Sequence, residues 1–480
     1  MNSDGRRAAP PSLVWFRLDL RLADHPALAT AAARGPVVPV FIWSSEEEGA
    51  AAPGAASRWW LRQSLEALDA SLRQRGSRLI IRRGPALAAL RALVRQTGAK
   101  SVCWSRRYEP SLVARDVKVA EGLRADGLEA ETFNSALLFE PWEVKTLAGG
   151  PFKVFTPFWK ACLHRPAPPA ASAAPARLDA PGTWPESEPL DSLELVAKTD
   201  WAAGFRPAWE PGEKGANARL AAFVDGGAGS YHEARDFMAA DGVSRLSPHL
   251  HFGEVSPRRV WDLVARCAAA APGRGPEVYL RQLVWREFAH HLLHHFPLTV
   301  AEPLRPEFSR FAWRRDLKSF SAWTRGRTGF PAVDAGMREL WRTGWMHNRA
   351  RMIAASFLVK DLLIDWRDGA AWFWDTLVDA DQACNTLGWQ WTAGCGADAA
   401  PFFRVFNPVL QGRKFDAEGV YVKRWIAELA ALPPAVVHEP WTADPAGLAA
   451  AGAYALPLVD HARARERALD AFSAATSKDR

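Results

Sequence analysis

Leu13-Val14-Trp15-Phe16, followed by Val37-Val38-Pro39-Val40-Phe41-Ile42-Trp43, Leu79-Ile80-Ile81 and Ser101-Val102-Cys103-Trp104, is the pattern on which the fold turns. Each run is short and continuously apolar, as in strands buried on both faces of a parallel sheet. Between the runs lie helical stretches. Over Ser57 to Gln74, Trp60, Leu61, Leu65 and Leu68 fall on one face. The alternation predicts a Rossmann-like parallel α/β domain over 12–135, behind a flexible N-terminus at 1–11. No Gly-rich phosphate loop follows the first run; Arg17 to Asp24 stands there, so no dinucleotide site is expected in this domain.

Further along, the pattern changes. From about Arg165 to Pro211 the chain is rich in Pro, Ala, Ser and Gly, which predicts a long linker, 136–212, wrapped over the surface. Beyond it nearly everything reads as helix, with stretches at Asn217 to Val224, Pro257 to Ala269, Glu277 to His295, Phe330 to Thr343, His347 to Asp361 and Gly369 to Val378. Residues 213–480 are therefore expected to form an all-helical domain.

Composition narrows the class. The chain has 480 residues, 48% hydrophobic and 24% charged, which excludes a disordered regulator. No stretch approaches the ~20 apolar residues of a membrane helix, and Met1 to Pro10 lacks the apolar core of a secretory signal. Five scattered cysteines with no zinc spacing suggest reduced thiols and a cytoplasmic protein. A net charge of +7 permits a polyanionic partner. The 23 Trp against 5 Tyr are unusual. A Trp-rich core would account for them, and so would a protein that handles flat ligands or electrons.

Four segments could carry chemistry. Tyr279, Gln282 and Arg286 fall at i, i+3 and i+7 with Trp285 beside them, resembling the wall of a polar-lipped cavity as much as a structural network. On the same helix His290/His294 and His291/His295 have zinc-compatible spacing. Without a third ligand they read as surface histidines at a helix end, and no metal is expected. Trp345, Asn348, Arg349 and Met352 are spaced to share a face in Thr343 to Met352, where buried amide and guanidinium groups need partners. Asp379, Asp381, Asn385, Trp389 and Trp391 crowd one stretch, and its carboxylates suit pairing with Arg and accepting from a ring N–H better than magnesium. Finally, Asp241 to Leu250 offers hydroxyls and backbone N–H groups to an anion, or a simple N-cap by Ser247.

Together these segments closely resemble the photolyase/cryptochrome flavoprotein family, from about Leu13 to Asp460. The resemblance rests on Trp15 to Arg21, Ser244 to Ser247, Leu283 to Phe288, Gly344 to Met352, Asp379 to Trp391 and Phe406 to Pro408. It implies an N-terminal antenna domain and a C-terminal helical domain holding FAD. Tyr231, Val243, Ser244, Arg245, Leu246, Ser247, Tyr279, Gln282, Asn348 and Arg351 would bind FAD. Asp379 would pair with Arg351, Asp381 would accept from the flavin ring N–H, and Asn385 would face flavin N5. Trp389, Trp366 and Trp313 match the family's electron chain. Arg235, Gln282, Trp285, Arg286, Asn348, Arg349, Met352 and Trp391 would meet DNA, with Trp285 and Trp391 as walls for a flipped lesion.

The implied activity is light-dependent repair, in which photoexcited reduced anionic FAD lends one electron to a cyclobutane pyrimidine dimer in UV-damaged DNA. The implied protein is a monomer without an obligate protein partner. Photolyases carry Asn at position 385, where plant cryptochromes resemble Asp and animal ones Cys. Met352 with Asn348 resembles the cyclobutane type rather than the (6-4) type. Gln282 stands where many relatives have Glu, and Val243 where Thr is common. Ser44 to Gly49 with Ser57 to Leu61 resembles plant cryptochromes and class III bacterial photolyases. Ser111 and Leu112 replace an Asn-Glu pair that holds folate in the best-known bacterial enzymes. The expected antenna is 5,10-methenyltetrahydrofolate, with 8-hydroxy-5-deazaflavin second. The alternatives are a blue-light photoreceptor signalling through a protein partner, which usually carries a C-terminal extension longer than the short tail after Asp460, and a light-independent DNA-binding flavoprotein.

Overall fold

The computed structural model describes residues 9–270, 273–399, 403–452 and 454–477. The predicted flexible segment at 1–11 lies outside the described residues over 1–8.

The four apolar runs are strands β1 (Ser12–Phe16), β2 (Val37–Trp43), β3 (Ile80–Arg83) and β4 (Ser101–Ser105), joined by an edge strand, β5 (Glu129–Phe133). All pairs are parallel, in the order β3-β2-β1-β4-β5. Helices α1 (Pro26–Arg34), α2 (Ala55–Arg73), α3 (Ala86–Thr97) and α4 (Pro110–Ala125) provide the crossovers. Side chains alternate across the sheet. Val14, Phe16 and Cys103 join one core with Trp60, Leu65 and Leu68 of α2, whereas Leu13, Trp15 and Trp104 join the other with Leu90 and Leu93 of α3. Both faces are covered, which is why the strands read as unbroken apolar runs.

The connection to the helical region is less of a surface strap than predicted. Leu178, Leu193, Leu195, Phe205 and Trp209 insert into the sheet-side core and are buried. Its Pro and Ala content sets an extended path, but the scattered large side chains anchor it.

The remaining chain is helical. Its parts that matter below are α5 (Arg274–His295), α6 (Leu317–Thr324), α7 (Pro331–Thr343), α8 (Asn348–Ser356), α9 (Trp366–Thr376) and α10 (Gln382–Ala393). Gly369 lets α9 and α10 approach, since a Cβ there would lie 2.2 Å from the Trp389 ring. The helical core is built around α7, α8 and α9. Among the described residues no helix is long and apolar enough to cross a membrane.

Candidate flavin site

A cleft in the helical region gathers residues from five separated segments: Tyr231 and Arg235, Val243 to Ser247, Tyr279, Gln282 and Arg286 of α5, Trp345, Asn348 and Arg351, and Asp379 and Asp381. Local structure explains each contribution. Pro276 is tolerated in the first turn of α5, where its missing N–H leaves no gap, and the helix then runs to His295. Gly344, at φ 69°, ends α7 with its N–H on the Leu340 carbonyl, 2.8 Å, and turns the chain so that Trp345 faces the cleft. His347 then caps α8, its Nδ1 accepting from the Arg349 N–H at 3.1 Å. Asp381 caps α10 by accepting from the Cys384 N–H at 2.8 Å.

The polar groups are arranged around two carboxylates. Arg351 donates to Asp379 Oδ2 at 2.8 Å, while Asp379 Oδ1 is buried without a partner. Asp381 Oδ2 lies 3.5 Å from His290 Nε2 and 3.9 Å from His251 Nδ1. Burial pushes the Asp381 carboxyl up, but His290, His251 and Arg286 prevail and hold it well below the usual carboxylate range. Burial lowers His290. The Tyr279 hydroxyl donates to Ser244 Oγ at 2.9 Å, and Trp345 Nε1 donates to Ser247 Oγ at 3.2 Å. Arg245 sits at φ 52° with its guanidinium 4.9 Å over the Trp345 ring. Left-handed backbone at a non-glycine residue is uncommon, and here it turns the Ser244 to Ser247 segment into the cleft.

This donor set fits FAD. The hydroxyls, N–H groups and arginines at one side suit a pyrophosphate, and the two carboxylates suit the N–H edge of a flavin ring, with Asp379 Oδ1 holding an unused acceptor.

Several sequence expectations need correction. Trp345, Asn348 and Arg351 line the cleft, but Arg349 and Met352 do not. Because α8 begins at Asn348, helical spacing cannot be counted from Trp345. Arg349 turns to Asp236, 2.8 Å away, and over the Phe415 ring, while Met352 meets the Asn348 amide through Sδ at 3.7 Å. Arg349 and Arg286 have side chains only 15% and 13% exposed, and Arg286 donates to the Ala136 carbonyl at 2.6 Å, so neither is an open surface cation. Trp285 does not line the cleft but stacks on Phe155, 3.7 Å between centroids at 7°. Trp391 lines a different cavity with Lys360 and Phe403. The Asn385 amide donates to the Ala370 carbonyl at 3.0 Å, and Asn385 is absent from the cleft wall.

The histidines of α5 are also not all at the surface. His290 and His291 are buried; His291 Nδ1 donates to the Pro141 carbonyl and Nε2 accepts from the Phe152 N–H, both at 3.0 Å. Among the described residues no group of three potential ligands is placed to hold a metal. Sequence reading missed His251 and Cys384 as cleft residues and His290 as the group behind Asp381. His290 continues the spacing of Gln282 and Arg286 by one further turn, a signal that the zinc-like pairs obscured.

Trp389 and Trp366 are buried, and Trp313 is half-buried against Phe311. The rings touching Trp389 are Phe373 at 5.0 Å and Trp323 at 6.2 Å; among the described residues no ring contact joins it to Trp366.

A second cavity lies beyond the carboxyl ends of β1, β2 and β4, where the strand order reverses. Trp15, Arg17, Trp43, Glu48, Arg107 and Arg115 are among its walls. His251 borders both cavities.

Residues 12–176 match DNA photolyase and residues 279–474 match the FAD binding domain of DNA photolyase. The deoxyribodipyrimidine photo-lyase of Agrobacterium fabrum is 49% identical over 97% of this chain and 98% of its own length. Cryptochrome-1 of Arabidopsis thaliana is 41% identical over 96% of this chain and 70% of its own length. The crystal structure of a class III photolyase from Agrobacterium tumefaciens superposes with a TM-score of 0.96 at 48% identity, covering 100% of both chains. The Rossmann-like sheet, the helical cleft and these likenesses together place the chain in the photolyase/cryptochrome family.

Proposed function

We propose that this protein splits cyclobutane pyrimidine dimers in UV-damaged DNA under light, with FAD in the helical cleft. The observation that carries the reading is the buried Asp379, paired to Arg351 on one oxygen and open on the other, inside a wall of phosphate-binding groups. When bound in its reduced anionic form and photoexcited, FAD supplies one electron to the dimer and recovers it after the ring opens.

The chain's part is binding, orientation and electrostatics. Tyr231, Tyr279 and the Val243 to Ser247 segment hold the phosphate and sugar end. Asp379 and Asp381 accept from the ring, while Asn385, its amide turned to the Ala370 carbonyl, stands behind the cleft wall. Trp389, Trp366 and Trp313 relay electrons from the surface. Gln282 and Asn348, the amides on the cleft wall, are suited to donate to pyrimidine carbonyls. Trp285, Met352 and Trp391 stand behind the cleft wall rather than on it, so the lesion's direct contacts fall to Gln282 and Asn348. Arg235, Arg286 and Arg349 hold the site's shape and charge near the DNA. The lesion leaves the stack at a cost of a few kcal/mol, less than for an intact base.

The antenna belongs in the second cavity, because ligands of open parallel sheets bind where the strand order reverses. Its Trp walls suit a pterin ring and its arginines a carboxylate tail, which favours methenyltetrahydrofolate over deazaflavin. The protein is read as a cytoplasmic monomer.

Reduced protein mixed with dimer-containing DNA and illuminated should lose the dimer, with no loss in the dark. Repair of (6-4) photoproducts alone would overturn the substrate. Light-driven spectral change without repair of either lesion would favour the photoreceptor reading, which the cryptochrome relatives keep in view.

A further inference from the structure

A cleft of about 580 Å³ opens between α6, α7 and α9, away from the two cavities above. One wall is an aromatic step. Trp341 of α7 stacks on Trp372 of α9 at 6.0 Å and 8°, and Trp341 is 61% exposed, so its outer face is open. Large exposed indoles are unusual, since burial of so much apolar surface is strongly favoured. The rest of the wall is cationic. Arg338 is already paired to Glu428 at 2.8 Å, but Arg325 and Arg327 are exposed and make no ion pair among the described residues. Among the described residues no carboxylate lines the cleft. Its volume lies in the range of small-molecule sites.

We propose that this cleft binds a free mononucleotide-sized ligand: a planar heteroaromatic ring carrying a phosphate. The ring would lie on the open face of Trp341, extending the existing stack, and the phosphate would be gripped by Arg325 and Arg327, whose forked donors match its oxygens. A merely apolar partner would leave the two arginines unused. A merely anionic one would leave the indole face bare.

AMP serves as the probe, titrated by equilibrium dialysis into the flavin-loaded protein so that the helical cleft is already filled, with adenosine and an undamaged oligonucleotide in parallel. Binding of AMP at least tenfold tighter than adenosine is expected. Trp341→Ala, a surface change, should weaken AMP by roughly 5- to 150-fold, the usual worth of one stacked base. An Arg325→Gln/Arg327→Gln double variant should bring AMP down to the adenosine level. AMP that fails to bind, or binds equally well to the Trp341→Ala protein, overturns the proposal. So does an effect of Trp341→Ala confined to the oligonucleotide, which would make this face a strand-binding surface instead.

Discussion

The sheet-end cavity and the helical cleft are both lined by Trp and Arg, yet they settle their charges in opposite ways. At the sheet, Arg17 and Arg115 share Asp116 and Arg107 pairs with Glu109, so each guanidinium already meets a carboxylate, although Arg17 Nε and Trp15 Nε1 are buried without partners. In the helical cleft Asp379 retains an unpartnered buried oxygen, and Asp381 is held by His251 and by His290, which burial keeps toward its neutral form. A wall whose guanidinium charges are already paired can accept a chromophore as an accessory. A wall with an open acceptor is shaped around the group it holds.

The comparison breaks first, and most visibly, at Arg351. Arg351→Ala leaves the Asp379 carboxylate buried and alone, and about 3–5 kcal/mol of stability should be lost. The Arg351→Ala/Asp379→Ala pair should recover part of that loss in denaturant unfolding, because no charge is then stranded. Additive losses would mean that the two side chains do not depend on each other.

The seam between the two regions gives the next effect. Glu287 of α5 accepts from the Leu138 and Phe139 N–H groups, 2.9 and 3.2 Å away. Burial raises its carboxyl to about 7, against Arg286 and these backbone donors. The folded state therefore favours the neutral acid, and this contribution is full below the ordinary carboxylate range and lost as pH rises through about 7. Glu287→Gln keeps an acceptor and removes the titration, so it should flatten a decline of up to roughly 3 kcal/mol between pH 5 and 8. Parallel stability profiles for the two proteins would dismiss it.

A smaller effect is expected at Gly369. Its Cβ would meet the Trp389 ring, and Gly369→Ala should cost about 1–3 kcal/mol and disturb photoreduction, read by unfolding and by flavin bleaching under light with a thiol. Photoreduction at the wild-type rate would show that the electron bypasses Trp389.

The smallest effect sharpens the assignment of Trp285. If it walls the lesion, Trp285→Ala should weaken dimer-DNA by roughly 1–3 kcal/mol and leave undamaged DNA nearly unchanged. Equal losses on both would make its stack on Phe155 its whole role.

How much of this the sequence disclosed depends on whether a feature was local. β1 to β4 were legible because strands buried on both faces are unbroken apolar runs. β5, Glu-Ala-Glu-Thr-Phe at the sheet's edge, alternates and carries no such mark. Tyr279, Gln282 and Arg286 were legible as a helical stripe, since all three lie within one uninterrupted helix. The stripe drawn from Trp345 failed because the helix starts three residues later. The Trp285–Phe155 stack, the burial of His291 under Pro141 and Phe152, and the anchoring of Leu193 and Phe205 beneath the sheet join distant parts of the chain, and no spacing records them.

The central claim is that the cofactor's seat is the helical cleft, with Asp379 at its heart, and not the ion-paired cavity of the sheet. Flavin bound per chain, read from the visible absorbance of purified protein, tests it most directly. Asp379→Ala should purify with little FAD while Trp43→Ala, in the sheet-end cavity, keeps the wild-type amount. An Asp379→Ala protein as yellow as wild type, or a Trp43→Ala protein stripped of FAD, would contradict it.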